Sequence, residues 1–166
     1  MRRRALLLAA AAAAALAGCG FQLRGDAPMG LKSLHVSTVG NSAVATEVRR
    51  RLAGGPTKLT PAIKDAEAHL RINAETQEKS ILTLTGAGRV YEYQLRLRVD
   101  YQVSDASGKP LVEPTQLEVR RNLTYSDTAP LAKEAEEVQL YVDMRQEAAA
   151  ISLRRIAVVS GGGPAR

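Results

Sequence analysis

The sequence predicts an α+β fold, a two-layer sandwich with two helices packed on one face of a four-stranded mixed sheet with long antiparallel strands. Three observations predict it. Tyr91, Tyr93, Leu95, Leu97, Val99, Tyr101 and Val103 alternate without a break against Glu92, Gln94, Arg96, Arg98, Asp100 and Gln102. Period-two alternation of that length marks a strand with one face on a core and the other toward water or a polar partner. Two other stretches repeat at helical spacing, Val44, Val48 and Leu52 first, then a run from Leu131 to Ile156. The order strand, helix, three strands, helix lets both helices cover the same sheet face and leaves the other polar and open.

Each element has its own local cause. Leu34 and Val36 share one side of a short strand within residues 31–39. Gly40-Asn41-Ser42 is a turn carrying a helix N-cap candidate. Arg49, Arg50 and Arg51 crowd the end of the first helix, where cations suit the dipole, and Gly54-Gly55-Pro56 stops it. Ala68, Leu70, Ile72 and Ala74 then alternate with His69, Arg71, Asn73 and Glu75. Thr85-Gly86-Ala87-Gly88 is a hairpin signal, and residues 105–110 form the next turn. Leu117, Val119, Leu123 and Tyr125 alternate in the last strand, with Arg121 interrupting the apolar side. Asp127 or Thr128 can cap the last helix, with Pro130 in its first turn. Leu131, Ala135, Val138, Val142, Ala149, Leu153 and Ile156 form the stripe expected on the sheet. Leu140, Met144, Ala148 and Ile151 form a second, nearly opposite stripe, for a loop or a partner.

Four segments follow: 1–18 a lipoprotein-type signal peptide, 19–30 a lipid-anchored tether, 31–158 one α+β domain, 159–166 a disordered tail. Arg2, Arg3 and Arg4 precede an apolar run from Ala5 to Ala17, the layout of a secretory signal and too short for a membrane span, which needs about 20 residues. Leu16-Ala17-Gly18-Cys19 resembles the lipobox of bacterial lipoproteins. That resemblance implies a diacylglyceryl group on the Cys19 sulfur, cleavage before it and acylation of the new amine. Cys19 is the only cysteine, so its acylation leaves no thiol for a disulfide or a nucleophile. Gly20 in place of an aspartate favours the outer membrane by the same resemblance. Removing residues 1–18 takes three arginines and lowers the net charge from +6 to +3, too little for a nucleic-acid stripe.

Catalytic patterns are missing from the sequence, and no enzyme is expected. His35 and His69 have no helical partner or CxxC neighbour for a metal, and no GxSxG elbow exposes a serine. Gly86-Ala87-Gly88 leads into a strand rather than a helix, which no phosphate loop does. Glu134, Glu136 and Glu137 suit a helix start without acid–base work. No cofactor is expected beyond a covalent lipid anchor.

Several segments resemble the LptE family of lipopolysaccharide-assembly lipoproteins. Cys19-Gly20-Phe21-Gln22-Leu23-Arg24-Gly25 is similar to that family's opening, and Gly88-Arg89 with Glu92-Tyr93-Gln94 to its strand start. Leu131-Ala132-Lys133 with Glu136-Glu137 resembles the segment leading into its final helix. The resemblance implies an outer-membrane lipoprotein whose domain sits inside the lumen of the LptD β-barrel on the periplasmic side. It would help that barrel assemble and assist lipopolysaccharide to the outer leaflet. It also implies lipopolysaccharide-binding cations at Arg89 and Lys133, while the family's other hairpin arginine is replaced around Thr85-Gly86. A second class fits the same leader, a lipoprotein subunit of a transenvelope ABC-type export system that binds protein partners only.

Overall fold

The computed structural model describes residues 29–126 and 128–161. The signal segment, Cys19 and the tether up to residue 28 lie outside the described residues, as do Asp127 and residues 162–166. The chain builds β1 (Ser33–Thr38), α1 (Ala43–Leu52), β2 (Lys58–Leu59), a 3-10 turn (Ile63–Asp65), β3 (Ala68–Leu84), β4 (Val90–Asp105), β5 (Pro110–Thr124) and α2 (Pro130–Val159). The sheet order is β2-β1-β3-β4-β5. β1 runs parallel to β2 and β3, and β3, β4 and β5 form an antiparallel meander. Both helices cover one face, as the periodicity predicts. The sheet has five strands rather than four, because Lys58 and Leu59 pair with Ser33 and Leu34. Two residues cannot show a period, so no alternation betrays β2.

The core lies between sheet and helices. Leu34, Leu70, Leu95, Leu97, Val99, Tyr101 and Val103 supply the sheet side and are fully buried; Val44, Val48, Met144, Ala148 and Ile156 supply the helix side. Met29, in the stretch expected to be tether, is also buried there. α1 follows expectation: Ser42 is its N-cap and accepts from Ala45 N at 3.0 Å, and Arg49, Arg50 and Arg51 occupy its last turn. Its stop carries no left-handed glycine, since Ala53 is the cap in αR geometry.

A bulge between Ile72 and Ala74 overturns part of the expected alternation in β3. Beyond it Ala74 pairs with Asp100 on the open face, and Glu75 pairs with Val99 on the helix side. One inserted residue flips every later side chain to the opposite face. The flip has a purpose. α1 has no acid in its own first turn, and the Glu75 carboxylate supplies one from the sheet. Its Oε2 accepts from Ser42 Oγ at 2.6 Å and from Val44 N at 3.0 Å. A carboxylate on these amides stabilises the positive end of the helix. Glu75→Ala is expected to lower unfolding free energy by about 1–2 kcal/mol in urea titration. An unchanged midpoint would remove the carboxylate from the cap.

The expected sheet-facing stripe of α2 holds only in its second half. Ala149, Leu153 and Ile156 are buried, but Leu131 is 79% exposed and Val138 66%. Met144 and Ala148, placed on the far stripe from sequence, are core residues. The first turns of α2 lie over a polar part of the sheet, so Tyr141 and Glu137 turn inward there instead. Tyr141 Oη donates to Glu78 O at 2.9 Å and Lys79 Nζ bonds Glu137 at 2.5 Å. The expected cap also differs: Ala129 is the N-cap without a side-chain bond, and Thr128 Oγ1 pairs with Ser126 Oγ at 2.8 Å. Pro130 takes the first turn, where its missing N–H costs nothing.

Candidate functional site

Strand register gives the molecule two poles. One holds the starts of β1 and β3 and the β4–β5 turn, with Leu34 beside Ala68 and Ala68 beside Asp105. The opposite pole holds the β3–β4 turn and the start of α2. Arg89 and Lys133, far apart in sequence, both belong to this second pole. Thr85 N donates to Arg89 O at 2.7 Å, Arg89 N donates to Thr85 Oγ1 at 3.1 Å, and Gly88 at φ 76° closes the turn. Thr85 therefore shapes the loop that presents Arg89. Tyr125 N donates to Tyr91 O at 2.9 Å, so the chain enters α2 beside the same hairpin. Lys133 follows in the first turn of α2 and its Nζ pairs with Glu136 at 2.8 Å.

Apolar side chains stand around these cations. Ile81, Leu82, Leu84 and Tyr91 on the hairpin, with Leu131 and Val138 on α2, are all exposed. Between α2 and β3 runs a groove of about 370 Å³ lined by Gln77, Glu134, Glu137, Val138, Tyr141 and Arg145. With its amide oriented to satisfy both partners, Gln77 accepts from Arg145 Nη2 at 2.8 Å and Nε at 3.2 Å. The Lys79 ammonium also sits 4.4 Å from the Tyr93 ring centre, and Tyr93 meets Tyr125 edge-on at 5.5 Å.

The open sheet face is an ionic ladder. Arg98 bridges Glu78 at 2.6 Å and Glu118 at 2.9 Å, and Arg96 reaches the same two acids at 3.6 and 3.9 Å. Arg120 also pairs with Glu118, and Gln116 donates to Asp100 at 2.9 Å. Hydrogen bonds from Arg98 and then Arg120 hold the Glu118 carboxyl below its ordinary range. The sequence marks these arginines as outward but not Glu78 or Glu118, because only register sets the acids beside them. Arg121, the interruption on the apolar side, is explained by its ion pair with Glu147 of α2.

His35 and His69 are not isolated as their sequence positions imply. Facing each other across β1 and β3, their ring centres lie 5.1 Å apart. His35 Nδ1 donates to Thr60 O at 2.9 Å, and His69 Nε2 bonds Ser37 Oγ at 2.7 Å. Burial, then the neighbouring His35 and Arg71, push the His69 pKa below the usual 6.5. Among the described residues no three His, Cys, Asp or Glu side chains group as metal ligands, and no helix is long and apolar enough to cross a membrane.

A family profile described as "LptE: Lipopolysaccharide-assembly" matches residues 31–156, nearly the whole described domain. The chain belongs to the LptE family. Curated LptE relatives include the LPS-assembly lipoprotein of Photorhabdus laumondii, 32% identical over 86% of this chain and 79% of that protein. Another, from Yersinia enterocolitica, is 33% identical over 86% of this chain and 70% of its own. Among solved structures, an uncharacterized lipoprotein B from Nitrosomonas europaea matches with TM-score 0.74 and 29% identity, over 87% of this chain and 94% of that one. A rare lipoprotein B from Shewanella oneidensis matches with TM-score 0.69 and 28% identity, over 78% and 96%. The two-helix, mixed-sheet architecture is thus the LptE-like fold, and the chain is of a lipopolysaccharide-assembly lipoprotein family rather than a known enzyme family.

Proposed function

We propose that this chain is an outer-membrane lipoprotein, acylated at Cys19, that plugs the LptD β-barrel and assists lipopolysaccharide to the outer leaflet without turnover chemistry. The observation that carries the reading is the open face of the sheet. It is long, polar and cross-linked by Arg96, Arg98, Glu78 and Glu118. Barrel interiors are polar and water-filled unless occupied, so a plug needs a wall of this character rather than an apolar one.

The hairpin pole supplies the second half of the reading. Lipopolysaccharide carries phosphates beside acyl chains, and this pole sets Arg89 and Lys133 among exposed Ile81, Leu84, Tyr91 and Leu131. Arginine forks and lysine point charges suit phosphate oxygens. Pull-down of the tagged, acylated protein from detergent-solubilised outer membrane is expected to bring a stoichiometric large barrel. Recovery of an inner-membrane permease instead would overturn the plug. Arg89→Glu combined with Lys133→Glu is expected to weaken lipopolysaccharide binding by at least about tenfold, since charge-assisted bonds contribute about 1.5–3 kcal/mol each. Thermal unfolding should fall only modestly, because Arg89 is exposed and the half-buried Lys133 loses one ion pair, to Glu136. Unchanged affinity would assign the ligand elsewhere.

A further inference from the structure

The pole opposite the hairpin gathers charge of one sign. α1 ends there with Arg50 and Arg51, since Thr57 Oγ1 just beyond it donates to Leu31 O at 2.8 Å. Lys58 of β2 pairs with Ser33 at the start of β1, and Lys64 lies in the 3-10 turn whose Asp65 O accepts from Ser33 Oγ at 3.3 Å. α2 returns to the same pole. Arg155 Nη1 bonds Tyr101 Oη at 3.2 Å, close to the β4–β5 turn, with Arg154 beside it. Two exposed apolar side chains accompany these cations, Ile63 at 53% and Val158 at 62%.

The acids of this pole do not cancel the surplus. Glu67 Oε2 accepts from Lys32 N at 2.6 Å, and Asp105 Oδ1 accepts from Ser107 N and Lys109 N of its own turn at 2.8 and 3.0 Å. Glu47 is paired with Arg50, and with Asp65 and Glu113 the pole holds five carboxylates, fewer than its lysines and arginines. Two helix C-termini add partial negative charge there, while Arg49 Nη2 donates to Val36 O of β1 at 3.1 Å. The first half of α2, at the other pole, carries Glu134, Glu136, Glu137 and Asp143 against Lys133 alone. Along α2 itself charge is therefore segregated, the first half net acidic and the second net basic.

The described chain begins at the basic pole. Met29 is buried beside β1, ten residues after Cys19. A stretch of that length spans at most about 33–36 Å, so the basic pole is the part of the domain that an anchored chain holds nearest the bilayer. We propose that this pole is a second membrane contact, resting on the anionic phospholipid headgroups of the leaflet that holds the acyl chains. The proposal depends on the acylation of Cys19 proposed above. Each lysine or arginine close to an anionic surface raises partitioning about fivefold, and Ile63 and Val158 are placed to enter the interface. The acyl chains hold the protein; the contact fixes which end faces the lipid. With the domain seated in a barrel, the same pole sits at the periplasmic mouth, level with those headgroups.

The chain has no tryptophan, so one introduced indole reports its own depth. The acylated full-length protein carrying Ile63→Trp is reconstituted in vesicles of brominated phosphatidylcholine with or without brominated phosphatidylglycerol. Quenching is expected to be several-fold stronger with phosphatidylglycerol, to fade in high salt, and to be lost with added Lys58→Glu, Lys64→Glu and Arg154→Glu. Leu131→Trp at the hairpin pole is expected to stay unquenched in both. Equal quenching at both positions, or none at Ile63→Trp, would overturn the contact. Mass spectrometry of the same preparation separates the two readings. An acylated protein without quenching overturns the contact alone, and an unacylated one overturns the anchor and the contact together.

Discussion

Cys19→Ser is expected to leave an unacylated precursor at the inner membrane, with the outer-membrane fraction empty of the protein. A serine hydroxyl cannot form the thioether, and without it neither cleavage before residue 19 nor acylation of the new amine follows. Each buried acyl methylene contributes about 0.8 kcal/mol, so several chains outweigh any single contact in the folded domain. Fractionation of membranes with mass spectrometry of the N-terminus measures the effect. Efficient delivery of the serine variant to the outer membrane would remove the lipid from the account, and the membrane contact of the basic pole with it.

Tyr101→Ala should cost about 3–5 kcal/mol of stability. Among the described residues Tyr101 is the largest fully buried side chain. It stands on β4 between Ile72 of β3 and Thr115 of β5, with its hydroxyl bonded to Arg155 of α2. Truncation opens a cavity where sheet and helix meet and strips Arg155 of a partner. Against a typical total of 5–15 kcal/mol, a loss of that size leaves the domain marginal. Tyr101→Phe keeps the ring and should cost only about 1 kcal/mol. Urea unfolding of the two variants separates packing from the hydroxyl bond; a Tyr101→Ala cost below that of Tyr101→Phe would move the core elsewhere.

β4 was readable because it is buried on one face along most of its length, so alternation survives from Leu95 to Val103. α1 was readable for a similar reason: Val44, Val48 and Leu52 all meet one core. Three features were hidden, each by a different physical cause. The bulge after Ile72 inverts the faces of β3 without any glycine or proline to mark it. The first turns of α2 put Tyr141 and Glu137 against polar β3 positions, so hydrophobicity alone chose the wrong stripe there. Pairings between strands, Arg98 with Glu118 or His35 with His69, follow from register, which one sequence does not carry. For the candidate site, local resemblance points to Arg89 and Lys133 one by one; their shared pole follows only from the hairpin and the entry of the chain into α2.

The longer of the two edge strands, β5, offers fifteen residues and has a neighbour on one side only, β4. Left bare, such a ribbon invites a second molecule to stack along it and seed a growing polymer. Pro110 and Pro114 remove two amides from that ribbon, the register slips between Tyr101 and Val103, and the paired arginines Arg120 and Arg121 put bulk and charge on its far half. The fold thus carries its own safeguard against self-templating, written into the strand most able to cause it.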